Sequence, residues 1–165
     1  MNDKLKEISY DELISMFDSF DSGLVMIGGL WCPNCTSIID NVLKIAEEKN
    51  LNNVYMYDPK FKNIYGEMED LRDCKSLEIK LKYYAIVEKM GFKSSERVKD
   101  TLIAKIHVPC FLAIRHGICN KYYSIELFKD NNILHELNSD TDLTMEFEDN
   151  IKELIDIVKK DELMY

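Results

Sequence analysis

The chain has 165 residues, is 46% hydrophobic and 31% charged, and carries a formal net charge of −9. That length suits one domain with its own core, residues 1–165. The acidic balance argues against nucleic acid and anionic membranes as generic partners, and no apolar run approaches the roughly 18 residues of a membrane-crossing helix.

The N-terminus, Met1 to Glu7, is mixed in charge and lacks the apolar core of a signal peptide. A cytoplasmic, reducing compartment is therefore expected. There the five cysteines are thiols at rest, and any disulfide is transient and catalytic.

Ser9-Tyr10-Asp11-Glu12 reads as a capping box. Leu13, Phe17 and Phe20 follow at helical spacing, so a first helix runs to about Phe20. Leu24 to Ile27 is a short apolar run, as in a strand buried on both faces. From Pro33 the period changes, and Ile38, Ile39, Val42, Leu43 and Ala46 make one helical stripe. Asn53 to Asp58 reads as the next strand, ended by Asp58-Pro59. Asp58 itself reads as a turn residue.

Residues 59–95, rich in Lys, Glu and Tyr, read as a mostly helical insertion. Leu77, Leu81, Tyr84 and Ala85 carry its helix, and Gly91 stops it. Ser94 or Ser95 caps a further expected helix through Val98, Leu102 and Ile103. Two apolar runs, Cys110 to Arg115 and Ile118 to Leu127, flank His116-Gly117 as in a β-hairpin. Residues 130–132 and 138–140 read as loop. Leu143, Phe147, Ile151, Leu154, Ile155 and Val158 form a terminal amphipathic helix.

Between the buried strand and its helix stands Trp31-Cys32-Pro33-Asn34-Cys35. A thiol at the start of a helix meets unpaired N–H groups and the positive end of the macrodipole, and both favour the thiolate. Pro33 suits the first helical position, where its missing N–H costs nothing. Cys35 lies one turn on, within disulfide reach. Cys32 can then attack a disulfide and Cys35 can resolve the mixed disulfide, with Trp31 covering the pair. Two other readings stay open: a buried structural pair, and a metal-binding module. Zinc needs about four ligands, and only His107 and Cys110 offer further spacing of that kind, so no metal is assigned.

This set of residues resembles the thioredoxin superfamily, particularly the cytosolic thioredoxin-related reductases with Trp-Cys-Pro-x-Cys. Leu24 to Cys35, Asn53 to Asp58 and Val108 to Gly117 carry the likeness. The resemblance implies an α/β, thioredoxin-like fold. Its central mixed β-sheet is flanked by helices, with the insertion placed before the cis-proline strand. It implies that Val108–Pro109 is cis, lies against the cysteine pair and presents the Val108 backbone to substrate, beside Trp31, Pro33 and Asn34. It implies a thiol–disulfide oxidoreductase acting on protein or small-molecule disulfides. Such an enzyme has no tightly bound cofactor beyond the redox-active Cys32–Cys35 disulfide, and is reduced by an NADPH-dependent reductase or a small thiol. A non-catalytic binding or redox-sensing module is the alternative of a different class.

Two departures from that family stand out. Thioredoxins carry a buried Asp where this chain has Met26, and Met cannot relay a proton to or from Cys35. Cys110 stands where Thr commonly follows the proline, as a small buried strand residue or as a third thiol near the site. Cys74 and Cys119 read as structural thiols, and His107, His116 and His135 as ordinary strand-start, turn and loop residues. Asn34 is neutral and so adds no charge favouring the thiolate; this leans the pair toward the reducing end.

Overall fold

The computed structural model describes residues 3–73, 75–94, 96–99, 101–124 and 141–160. Cys74, Ser95, His135 and the two expected loops at 130–132 and 138–140 lie outside them. So does the end of the second hairpin run.

Ser9 caps α1 (Tyr10–Asp18) through the expected box: Glu12 N–H donates to Ser9 Oγ at 3.1 Å, and Ser9 N–H to the Glu12 carboxylate at 3.0 Å. The helix ends before Phe20, which sits at φ 58° with its ring in solvent rather than on the apolar stripe. β2 (Gly23–Ile27) is buried along its whole length. α2 (Pro33–Glu48) then packs Ile38, Val42, Leu43 and Ala46 inward, and β3 (Val54–Tyr57) follows.

An N-terminal strand, β1 (Leu5–Ile8), has no clear apolar signal. It pairs with β3 alone at the sheet edge, so Lys6 and Glu7 can face solvent while Leu5 turns inward. With β6 (Cys110–Arg115) and β7 (Ile118–Ser124) the sheet reads β1-β3-β2-β6-β7. The β1–β3 and β3–β2 pairs are parallel, and the β2–β6 and β6–β7 pairs antiparallel. The sheet is mixed, as expected.

Alternation along the central strands sends side chains to two cores. Leu24, Met26, Phe111 and Ala113 meet α2 and the terminal helix α4 (Thr141–Val158), where Phe147, Ile151, Leu154 and Ile155 are buried. Val25, Ile27, Cys110, Leu112 and Ile114 face the other way, toward α1 and α3 (Leu77–Met90). Among the described residues no helix is long and apolar enough to cross a membrane.

The insertion is not mostly helical. It opens with a hairpin, β4 (Lys60–Lys62) and β5 (Met68–Asp70), before α3 begins. Asn63 and Gly66 make the turn: Asn63 Oδ1 accepts from Tyr65 N–H at 2.9 Å and Glu67 N–H at 3.0 Å, and Gly66 takes φ 78°. This is Asx-turn chemistry, which a helix period conceals. α3 stops at Gly91 in the left-handed conformation, φ 63°.

Among the described residues the further helix after Ser94 does not form. Arg97 and Ala104 form an antiparallel bridge instead, closed by Val98 N–H to Ile103 O at 2.9 Å and Lys105 N–H to Glu96 O at 2.9 Å. Ser94 Oγ accepts from Glu96 N–H at 3.2 Å, a local bond that competes with helix formation.

His116 and Gly117, at φ 51° and 77°, turn β6 into β7. A Cβ on Gly117 would collide with the Phe17 carbonyl oxygen, which is backbone and cannot swing away. Gly117→Ala is expected to cost about 1–3 kcal/mol of stability, measurable by urea unfolding. An unchanged midpoint would show that the hairpin relaxes freely.

Candidate active site

Cys32 is the N-cap of α2, with extended backbone at φ −92°, ψ 116°, and Pro33 occupies the first turn. The Cys35 N–H donates to Cys32 Sγ at 3.2 Å. Both are free thiols and both are buried; Cys32 is 5% exposed and Cys35 0%.

The Cys32 thiol is lowered from 9.0 to about 6. The bond donated by the Cys35 thiol is the largest cause; burial opposes it; the Cys35 and Asn34 backbone N–H groups and the charge of Arg72 add to the lowering. Cys35 moves the other way, held far above the ordinary thiol range by its bond to Cys32 and by burial. The surroundings thus favour the thiolate at Cys32 and the protonated thiol at Cys35. Alkylation of Cys32 is expected to be half-maximal near pH 6. The rate rises with pH and levels off by neutral pH, as peptide-resolved iodoacetamide labelling can measure. A rate still climbing steeply at about pH 8 is the behaviour of an unperturbed thiol and would contradict this.

Trp31, next to Cys32 in the chain, is 38% exposed. Its indole N–H donates to Asp58 Oδ1 at 2.8 Å, and Lys60 Nζ sits 3.8 Å from the ring centroid. Gly29 leaves room for this arrangement, since a Cβ there would collide with the indole. Asp58 also accepts from Lys60 N–H at 2.9 Å, so it is a turn residue, as expected, and the anchor of Trp31 as well.

Met26 lies near the pair. A Cβ on Gly28 would stand 2.6 Å from Cys35 Sγ and 3.6 Å from Met26 Cε. The methyl end of Met26 thus lies close to Cys35 in the core they share. Asn34 is half-buried, and its Oδ1 finds no hydrogen-bond partner among the described residues.

The Val108–Pro109 peptide is cis. Pro109 immediately precedes Cys110, which pairs with Ile27 of β2, and Val108 packs against the core that holds Cys32 and Cys35. Cys110 does not join them. It is 0% exposed in the core on the opposite face of the sheet, because the residue opposite it, Ile27, has the parity opposite to Met26. The reading of Cys110 as a third thiol near the site is overturned by this pleat, and with it any convergence of His107 and Cys110 on the pair. Cys119 is raised to about 11 by burial. His107 meets Glu96 instead. Among the described residues no three His, Cys, Asp or Glu side chains gather closely enough to hold a metal ion.

Sequence reasoning missed Arg72. It follows β5 and forks onto Asp70, Nε to Oδ1 at 3.0 Å and Nη2 to Oδ2 at 2.8 Å. The two residues that this fork joins lie within a stretch read as helical, which hid the pairing. Asp70 is consequently held below the carboxylate range, although burial alone would raise it.

No family model and no curated protein matches the chain. Among solved structures, the crystal structure of thioredoxin O2 from Arabidopsis thaliana in its oxidized state aligns over 84% of this chain and 95% of that chain. Their sequence identity is 14% and the TM-score 0.40. The sheet order β1-β3-β2-β6-β7, with a dithiol opening α2 and a proline leading into β6, decides the architecture. The fold is thioredoxin-like. Between β3 and β6 the chain carries the hairpin β4–β5 and α3, and the hairpin brings Lys60 over the Trp31 ring.

Proposed function

We propose that the protein is a thiol–disulfide oxidoreductase that reduces protein or small-molecule disulfides through Cys32 and Cys35. The observation that carries the reading is the asymmetry of the pair: Cys32 Sγ caps α2, accepts the Cys35 N–H and is lowered to about 6, while Cys35 keeps its proton.

In the forward step the Cys32 thiolate attacks one sulfur of a substrate disulfide. An S–S bond forms between Cys32 and substrate, the substrate S–S bond breaks, and the leaving thiolate takes a proton. Cys35 then loses its proton and attacks Cys32 Sγ, releasing the second substrate thiol. Two electrons have moved to substrate, and the protein holds the Cys32–Cys35 disulfide. A small thiol or an NADPH-dependent reductase restores the dithiol. No tightly bound cofactor enters the cycle. Trp31, Pro33, Asn34, Val108 and Pro109 form the surface against which the substrate chain lies. The setting is the cytoplasm, with neither nucleic acid nor membrane as a partner.

Trapping tests the reading. With Cys35→Ser the second step is blocked, so a mixed disulfide with substrate should accumulate at Cys32 and vanish on adding dithiothreitol. Absence of any Cys32 adduct with oxidised insulin or with a small aromatic disulfide contradicts the proposal. Met26 close to Cys35 favours one second reading, a redox-sensing module that oxidises once and turns over poorly. Stoichiometric oxidation without catalytic insulin reduction would select it.

A further inference from the structure

Ile106 lies three residues ahead of Pro109 and is 1% exposed. Its carbonyl accepts from Arg72 Nη1 at 2.9 Å, and its N–H donates to the Tyr83 hydroxyl at 2.8 Å. Tyr83 in turn donates to the Ala104 carbonyl at 2.6 Å. Both partners come from the segment between β3 and β6, Arg72 from just after β5 and Tyr83 from α3. The backbone leading into the Val108–Pro109 bend is thus held by two side chains of that segment.

Arg72 is the more informative of the two. A buried Arg–Asp pair alone is weak grounds for stability, since desolvation can cancel the attraction. Here the guanidinium turns a third donor, on Nη1, to a loop carbonyl next to the substrate-facing bend, and its charge acts on both sulfurs of the pair. An ammonium could supply that charge but not the planar fork that reaches Asp70 and Ile106 together.

We propose that Arg72 is a positioning residue of the dithiol site: locked by Asp70, its guanidinium holds the Ile106 carbonyl, so fixing the Val108–Pro109 bend, and its positive charge acts on Cys32. The inference rests on the thiol chemistry proposed above. The segment between β3 and β6 then completes the site as well as covering the fold. Other charges face the same region: Asp58 from the end of β3, Lys60 from β4, Asp70 and Asp73 flanking Arg72, and Lys105, Glu96 and His107 from the segment before Pro109. Lys105 pairs with Asp73 at 3.3 Å and His107 with Glu96; among these charges it is that of Arg72 that adds to the lowering of Cys32, after the hydrogen bonds from Cys35 and Asn34.

The test compares the full-length wild type with R72Q and R72K. Cys32 alkylation is followed against pH by peptide-resolved mass spectrometry, and kcat/KM is measured for reduction of oxidised insulin. R72Q should raise the alkylation midpoint by about half a pH unit or more. R72K should keep the midpoint near wild type yet lose about tenfold in kcat/KM, because the charge survives and the fork does not. A purely structural role would not separate the two readouts in this way. R72Q that is folded by circular dichroism with an unchanged midpoint overturns the proposal. Should R72Q fail to fold, R72K decides, and an unchanged kcat/KM overturns it. The midpoint needs no turnover, so an Arg72-dependent midpoint in a chain that reduces nothing defeats the proposed function and leaves the electrostatic role standing. Active reduction with an Arg72-independent midpoint does the reverse.

Discussion

Cys32→Ser is expected to lower disulfide reduction by about a thousandfold or more, with little change in stability. The activity falls because a serine hydroxyl stays protonated at every accessible pH, and because only a sulfur can form the mixed disulfide. Stability holds because serine is among the best N-cap residues, so its oxygen can take over the Cys35 N–H now directed at Cys32 Sγ at 3.2 Å. The thermal midpoint should therefore move little. The contrast with Cys35→Ser is diagnostic: that variant also stops turnover, but it should still be alkylated at Cys32 and capture substrate. Insulin reduction, thermal melting and adduct formation on the three proteins together assign each sulfur. Cys32→Ser that keeps more than about a tenth of wild-type turnover removes Cys32 as the nucleophile.

The pentapeptide at Trp31–Cys35 was readable because its chemistry is local. The strand before it, the proline at the first helical position and the one-turn spacing all lie within a dozen residues, and each constrains the same α2 N-terminus. The terminal helix and the β6–β7 turn are legible for the same reason. What escaped depends on contacts between segments far apart in sequence. β1 is a strand because β3 offers it an edge, not because Lys6 and Glu7 favour one. Arg72 matters through Ile106, 34 positions on. The side of the sheet that Cys110 faces follows from its register with Ile27, which the strand's own residues do not encode. The hairpin at 60–70 was the avoidable miss, since Asn63 and Gly66 carry the turn chemistry openly.

Met26→Glu is expected to act in two directions at once. Met26 is 1% exposed, and its Cε lies close to the space between Gly28 and Cys35 Sγ. Glutamate nearly matches methionine in length, so the change exchanges a thioether for a carboxyl with little loss of volume. Burying that carboxyl among Ile38, Val42 and Phe111 should cost about 2–4 kcal/mol. Burial also raises its proton affinity toward neutrality, which is the range in which a general base works best. In the wild type Cys35 holds its proton strongly, and Met26 near it can neither accept nor donate one. Resolution of the mixed disulfide should then be the slow step, and Met26→Glu should speed it by about tenfold near pH 7. Single-turnover release of a chromogenic thiol from the Cys32 adduct reads that step apart from the first attack. Urea unfolding of the reduced protein reads the cost. A variant that is folded and destabilised yet resolves no faster than the wild type shows that Cys35 already delivers its proton by another route. The Met26 thioether would then not be what sets the rate of this dithiol.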